Sequence, residues 1–279
     1  MNFWNKPCEV EDFSDPALAG VMRRVFTREA ATAGDWPRGR EYRKHWEVGM
    51  AVLAAETFLA QRHAGFALGI GAGTEATSFY LTNIFRWVFA TDLYLSPDWP
   101  QDSPRDMLSE PARFAGGTPF RQTRLVVQHL DARDVSHEDE TFDFVYSCGS
   151  IEHFGTREQI RQAAAEMGRV LRPGGVIAIS TEYCARGTPG YLVSDTLLLG
   201  PDDMRELIVE PSGCAPVDEL RFGISEATLG SPVRWADAIR DRVRMQHDPG
   251  MPWSQYPHIL MDDGRRAWTS YHLTLRKAG

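Results

Sequence analysis

Apolar residues fall at helical spacing over residues 41–62 (EYRKHWEVGMAVLAAETFLAQR), where Trp46, Met50, Leu53, Ala54, Phe58 and Leu59 share one stripe. This predicts an amphipathic helix. The period then changes. Short apolar runs at 66–70, 87–91, 125–128, 142–147 and 176–181 read as strands. Segments 74–84 and 156–171 read as helices, the second stopped by Arg172-Pro173-Gly174-Gly175. Strands alternating with helices predict βαβ units around a parallel sheet, an α/β fold. Residues 268–276 (WTSYHLTLR) alternate as a closing strand does, with 217–222 as a candidate partner.

Two stretches exceed what this alternation needs. Residues 95–123 are rich in Pro, Asp, Ser and Gly, and residues 225–266 carry Trp235, Trp253, Tyr256 and His258 among prolines. Connections of that length are usually functional or disordered. The expected organisation is a helical leader over 1–40, then one domain over 41–279 with insertions at 95–123 and 225–266, the second serving as a substrate lid.

Composition narrows the partners. The net charge of -8 disfavours a nucleic-acid partner, whose phosphates are neutralised by basic patches. Arg240, Arg242 and Arg244 read as a solvated helix face. The four cysteines form no CxxC pair, as expected for thiols in a reducing cytosol. No apolar run approaches the ~20 residues of a membrane span, and the first residues lack a secretory pattern. The expectation is a soluble, cytoplasmic protein with no membrane partner.

Candidate chemistry begins where the first strand runs into Gly69-Ile70-Gly71-Ala72-Gly73 and then a helix. Ligands of open α/β sheets sit beyond the carboxyl ends of the strands, and glycines allow the backbone to approach them closely. About 20 residues on, Asp92 ends the second strand, where a carboxylate can accept both ribose hydroxyls. That pair fits an adenosine ligand without choosing between NAD and S-adenosylmethionine. Asp131-Ala132 after the third strand, FDFVYSCGSIEHF around the fourth, and EMGRVLRPGGVIAIS before the fifth narrow the choice.

Over roughly residues 41–223 the chain resembles a class I S-adenosylmethionine-dependent methyltransferase of the type 11 kind, on ALGIGAGTE, VFATDLY, LDARDV, FDFVYSCGSIEHF and RVLRPGGVIAIS. GAGTEATSFYLTN, ATDLYL and SIEHFG are similar to a subgroup associated with bacterial glycan or secondary-metabolite pathways. The resemblance implies a Rossmann-like, seven-stranded sheet of order 3-2-1-4-5-7-6 with strand seven antiparallel. It implies that Gly69, Gly71, Ala72 and Gly73 line the methionine part of the cofactor, Asp92 the ribose and Leu93 the adenine face. Asp131 and Ala132 would meet the adenine edge, and Ser147 or Cys148 the region of the amino group. The family's pattern opens on an acidic residue and ends on glycine; here Gly69 and Glu75 stand at those places. Glu75 is then either a replacement carboxylate or a first-turn residue favoured by the helix dipole.

Methyl transfer requires an oriented acceptor, excluded water and sometimes a base. His153 follows the fourth strand, and an ordinary histidine pKa near 6.5 suits a base. Glu152 could orient it or reach the substrate. Glu182 and Tyr183 follow the fifth strand and face the expected pocket, with Trp253, Tyr256 and His258 as lid aromatics. Glu152, His153 and Glu182 could gather around a divalent ion, but no tight ligand motif supports a metal. The leading expectation is O-methylation of a sugar-containing or secondary-metabolite small molecule, with a homodimer left open. N-methylation, a non-methylating cyclase or binding protein on the same fold, and a nicotinamide oxidoreductase are the alternatives.

Overall fold

The computed structural model describes residues 3–60, 62–97, 103–192, 196–248 and 251–279. Residues 98–102 and 249–250, inside the two expected insertions, lie outside the described residues. Eight strands form the main path of one sheet: β1 (Phe66–Ile70), β2 (Trp87–Asp92), β3 (Leu125–His129), β4 (Phe142–Cys148), β5 (Leu171–Arg186), β6 (Pro232–Arg234), β7 (Leu260–Asp262) and β8 (Ala267–Arg276). The helices used below are α1 (Pro16–Val25), α2 (Arg43–Phe58), α3 (Ala76–Leu81), α4 (Arg157–Val170) and α5 (Trp235–His247).

The sheet order is 3-2-1-4-5-8-7-6. The first five strands are parallel to their neighbours, and β8 runs antiparallel to both β5 and β7. This is the expected mixed sheet with its last strand reversed, extended by one short edge strand, β6, parallel to β7. The expected pairing of the last strand with 217–222 is met only at Val217, whose amide donates to the Thr274 carbonyl at 3.0 Å; the ladder itself is made by Ala215–Pro216. β5 occupies one edge of β8 along its whole length. The other edge is tiled by β7, Lys6–Pro7 and Ala215–Pro216 in turn. A ten-residue strand has two rows of backbone groups to satisfy, so several short segments share the second row.

The fifth strand is also longer than expected. It runs through Pro173-Gly174-Gly175, where its register against β4 slips between Phe142 and Phe144, and continues to Arg186. Pairing with β8 carries it beyond the end of β4, because Cys148 pairs with Ser180 and nothing of β4 lies beyond. Thr181 and Glu182 therefore stand on an overhang above the carboxyl end of β4.

α2 is buried on nearly every side, from Arg43 to Ala55. α1 packs so closely outside it that a side chain at Gly49 would come within 2.9 Å of Leu18 and Met22. The helix therefore lies between α1 and the sheet, and Arg43 and Glu47 of its charged first turn are buried with the rest, with Lys44 half-buried beside them. In the first insertion, Met107, Phe114 and Phe120 pack around Phe79 and Tyr94. Among the described residues no helix is long and apolar enough to cross a membrane.

Candidate active site

The glycine turn leaves β1 and passes beneath the ends of β2 and β4. Gly71 and Gly73 adopt φ of +64° and +46°, which L side chains rarely tolerate. A Cβ on Gly71 would lie 2.7 Å from that of Ser150, whose hydroxyl donates to the Gly71 carbonyl at 2.7 Å. The Ala72 amide donates to the Thr91 carbonyl at 2.9 Å. At the end of β2, the Asp92 carboxylate accepts the Gly73 amide at 2.8 Å and the Leu93 amide at 2.6 Å. The buried Tyr94 hydroxyl donates to the Gly73 carbonyl at 2.8 Å. Gly71, Ala72, Gly73, Asp92 and Leu93 are thus brought together as one backbone-knitted loop.

Gly69 is explained by its neighbour. A Cβ there would come within 2.5 Å of the Tyr146 ring, and Tyr146 is buried, donating its hydroxyl to Ser78 at 2.8 Å. The aromatic ring on β4 fills the space that a leading acidic side chain would need. Glu75 caps the entry to α3 without bonding to its backbone; Oε2 is buried and has no hydrogen-bond partner among the described residues. Burial pushes its carboxyl well above the ordinary range, and Glu47 adds to the push against Lys44. Cys148, at the end of β4, is buried against Thr77 at 3.6 Å, and the buried Ser147 hydroxyl lacks a partner among the described residues.

Asp131 is placed differently from the rest. Its carboxylate is gripped by the Arg133 guanidinium at 2.6 and 2.8 Å and by the Arg133 amide at 2.9 Å, which together hold it below the usual carboxylate range. Its oxygens are already engaged, so an adenine amino group would compete with Arg133. Ala132 packs half-buried against the neighbouring core.

The second half of the site lies over β4 and β5. Glu152, in a short turn after β4, is fully buried; Oε2 accepts from Thr181 at 3.0 Å, and Oε1 has no partner among the described residues. Burial pushes its carboxyl up to about 8, with Glu182 and Glu47 adding to the shift and Lys44 opposing it. His153 follows, 3.4 Å through Nδ1 from the Thr196 hydroxyl and close enough to Glu182 to favour its ionised form. Glu182 Oε1 accepts from Arg43 at 2.5 Å and lies 3.6 Å from Lys44. Burial raises the Glu182 carboxyl, but Arg43 and Lys44 more than offset it and hold it ionised.

Arg43, Lys44 and Glu47 on α2, with Ser270 on β8, complete this half and were not among the candidates. Lys44 lies 3.0 Å from Glu47 and directly over Gly149, and Arg43 donates to the Ser270 hydroxyl at 3.0 Å. The signal lay in the helix itself. A helix apolar all round past Glu47 has to be buried, and its first turn takes Arg43 and Glu47 inside with it, Lys44 lying half-buried beside them.

Two expectations about the acceptor side look different in place. Tyr183 points to the opposite face of β5 from Glu182, donates to the Phe222 carbonyl at 3.0 Å and packs with Tyr271. It does not join the cluster. Of the lid aromatics, Trp253 stacks on His258 at 3.9 Å, with Tyr42 beside both, while Tyr256 lies under Arg40. The His258 carbonyl accepts the Arg43 amide at 3.2 Å, which ties this segment to the start of α2. Burial and then Arg43 push the His258 ring down to about 4, so it stays neutral. Among the described residues no group of three His, Cys, Asp or Glu is arranged to hold a metal ion.

Residues 68–179, from β1 into β5, match the methyltransferase-domain family. This segment is a class I, S-adenosylmethionine-dependent methyltransferase domain. The chain is 32% identical over 107 residues to 27-O-demethylrifamycin SV methyltransferase of Amycolatopsis mediterranei, covering 38% of this chain and 36% of that protein. Methyltransferase GfsG of Streptomyces halstedii is 36% identical over 67 residues, covering 24% of this chain and 23% of its own. The matched stretches thus span about a third or less of these curated relatives. In fold, the chain is similar to the [4+2]-cyclase SpnF, with a TM-score of 0.54 at 15% identity over 99% of both chains. It is similar also to phosphoethanolamine N-methyltransferase 2 of Haemonchus contortus, with a TM-score of 0.52 at 16% identity over 98% of this chain and 60% of the other. The loop's residues fit the cofactor: Asp92 would offer a carboxylate to a ribose at the end of β2, and Glu75 Oε2, buried and without a hydrogen-bond partner among the described residues, would accept from an ammonium group.

Proposed function

We propose that the chain is an S-adenosylmethionine-dependent methyltransferase acting on a hydroxyl of a small molecule, of a sugar-containing or secondary-metabolite kind. The observation that carries it is the Gly71–Gly73 loop, fastened to Asp92 and Ser150 inside a methyltransferase domain. Bound there, the cofactor supplies an electrophilic methyl group to an acceptor oxygen. Gly71, Ala72 and Gly73 hold its amino-acid arm close to backbone, Asp92 the ribose and Glu75 the ammonium group. His153 takes the proton from the acceptor hydroxyl, and Glu152 and Glu182 orient that hydroxyl beside it. α2 covers the strand ends and excludes water, and Trp253 and His258 extend that cover. The name of one curated relative, 27-O-demethylrifamycin SV methyltransferase, supports a small-molecule acceptor.

The test is isothermal titration with S-adenosylhomocysteine and NAD, followed by turnover on extracts with labelled S-adenosylmethionine. S-adenosylhomocysteine should bind and NAD should not. His153→Ala should lower turnover by about 10²–10⁴-fold, the usual worth of a positioned base, while leaving S-adenosylhomocysteine affinity within about twofold. Turnover near the wild-type rate removes His153 from the role; binding of NAD alone removes the methyltransferase reading.

A further inference from the structure

The charges above β4 and β5 are balanced among themselves. Arg43 pairs with Glu182 at 2.5 Å, and Lys44 with Glu47 at 3.0 Å. Ser270 ties the two pairs together, accepting from Arg43 and donating to Glu47. Two cations thus meet two carboxylates, all four anchored on α2 and β5. The third carboxylate, Glu152, has no cation at salt-bridge distance among the described residues, and burial keeps it protonated near neutral pH. Yet two buried oxygens remain open: Glu152 Oε1 and Glu182 Oε2 have no partner among the described residues. Leaving such atoms unsatisfied costs about 1–3 kcal/mol each, more for a charged group. A ligand that satisfies them is therefore strongly favoured.

What they lack is hydrogen bonding, not charge. A protonated Glu152 offers a hydrogen, and the ionised Glu182 asks for one. A hydroxyl can accept from the first and donate to the second; an ammonium group only donates. An ammonium group would also bring a further positive charge beside Arg43 and Lys44, at a desolvation cost. We propose that Arg43, Lys44, Glu47 and Ser270 form the wall of an acceptor site that takes a neutral, hydroxyl-bearing fragment, its hydroxyl accepting from Glu152 and donating to Glu182. This rests on the methyltransferase reading and deepens it: the same wall selects hydroxyl over amine acceptors.

The experiment uses the full chain saturated with S-adenosylhomocysteine. It is titrated calorimetrically with methyl glycopyranosides of gluco, manno and galacto configuration and with their monodeoxy and monoamino-deoxy counterparts. At least one neutral glycoside should bind ten times more tightly than its amino and deoxy counterparts. Glu152→Ala should weaken that glycoside at least tenfold with S-adenosylhomocysteine affinity unchanged. Arg43→Gln leaves Glu182 with only Lys44 beside it, at 3.6 Å, and should turn the preference toward the amino sugar; if that variant does not fold, the wild-type comparison decides alone. Equal or tighter binding of the amino sugar to the wild type overturns the proposal, as does a panel in which no glycoside binds. Failure of S-adenosylhomocysteine to bind the wild type would instead strike the methyltransferase reading itself.

Discussion

At the ends of β1 and β2 nearly every polar group is matched by backbone or by a near neighbour in sequence. Asp92 takes two amides, Ser150 and Tyr94 take loop carbonyls, and Ala72 bonds to Thr91. At the ends of β4 and β5 the reverse holds. Side chains from α2, β5 and β8, as far apart as 227 residues, meet in a buried cluster that leaves carboxylate oxygens open. A loop finished in itself suits a cofactor that is the same in every turnover. A cluster that is finished only by its ligand suits an acceptor that must be chosen. Glu75 stands between the two, at the loop by sequence and in the cluster by its surroundings.

The sharpest way to break this contrast is to restore the leading acid of the loop. Gly69→Asp places a Cβ within 2.5 Å of the Tyr146 ring and buries a carboxylate beside it. Overpacking of about 1–3 kcal/mol adds to the cost of a buried polar group, so the variant should lose on the order of 3–5 kcal/mol of stability. Adding Tyr146→Ala vacates the space, and the pair should be less destabilised than the sum of the singles. Urea unfolding of the four proteins gives the coupling directly; strict additivity would show that Tyr146 does not occupy the place of that side chain.

The cluster has its own signature in pH. Glu152 releases its proton near 4.5 in an unfolded chain and near 8 in the folded one. Between those values the folded state holds the additional proton, so stability from this group is full below about 4.5 and is lost as pH rises toward 8. Glu152→Gln cannot ionise and should lack that slope. The wild type should therefore lose ground to the variant, by on the order of a few kcal/mol, between mildly acidic and mildly alkaline pH. Lys44, Glu47, Glu182, His153 and Glu75 remain in both proteins, so the difference reports Glu152. Parallel stability curves would mean that the carboxyl is ionised in the folded state.

The same contrast decides what could be read from the chain alone. The loop, Asp92 and the Pro173-Gly174-Gly175 segment that opens β5 are local, set by glycines and strand ends, and could be placed from the sequence. The first five strands were legible for the same reason: each carries its own apolar run. The acceptor wall was not. Arg43, Lys44 and Glu47 open a helix whose apolar stripe drew attention to its other end, and Ser270 sits inside an alternating strand with no mark of function. Tyr183 was assigned to the pocket beside Glu182, although the two-residue period of a strand sends neighbours to opposite faces. Strand five outran its apolar run because β8, a partner nearly ninety residues away, carries it past β4.

Glu75 offers the finest test, since it asks whether the loop borrows its missing carboxylate from the cluster. Its Oε2 is buried with no hydrogen-bond partner among the described residues, a side chain at Gly69 would meet the Tyr146 ring, and the ammonium group of the cofactor is the donor that would complete it. An ammonium ion also favours the ionised carboxylate, reversing the upward push of burial on Glu75. Glu75→Gln keeps the shape and a hydrogen-bond acceptor but removes the charge, so about 1 kcal/mol of S-adenosylhomocysteine affinity should be lost, roughly fivefold. Methylthioadenosine carries the same nucleoside without the amino-acid arm, and its affinity should not change. A loss shared equally by both ligands would mean that the substitution disturbs the loop as a whole. No loss for either would return Glu75 to the cluster, as a neighbour of Lys44 and Glu152 with no part in holding the cofactor.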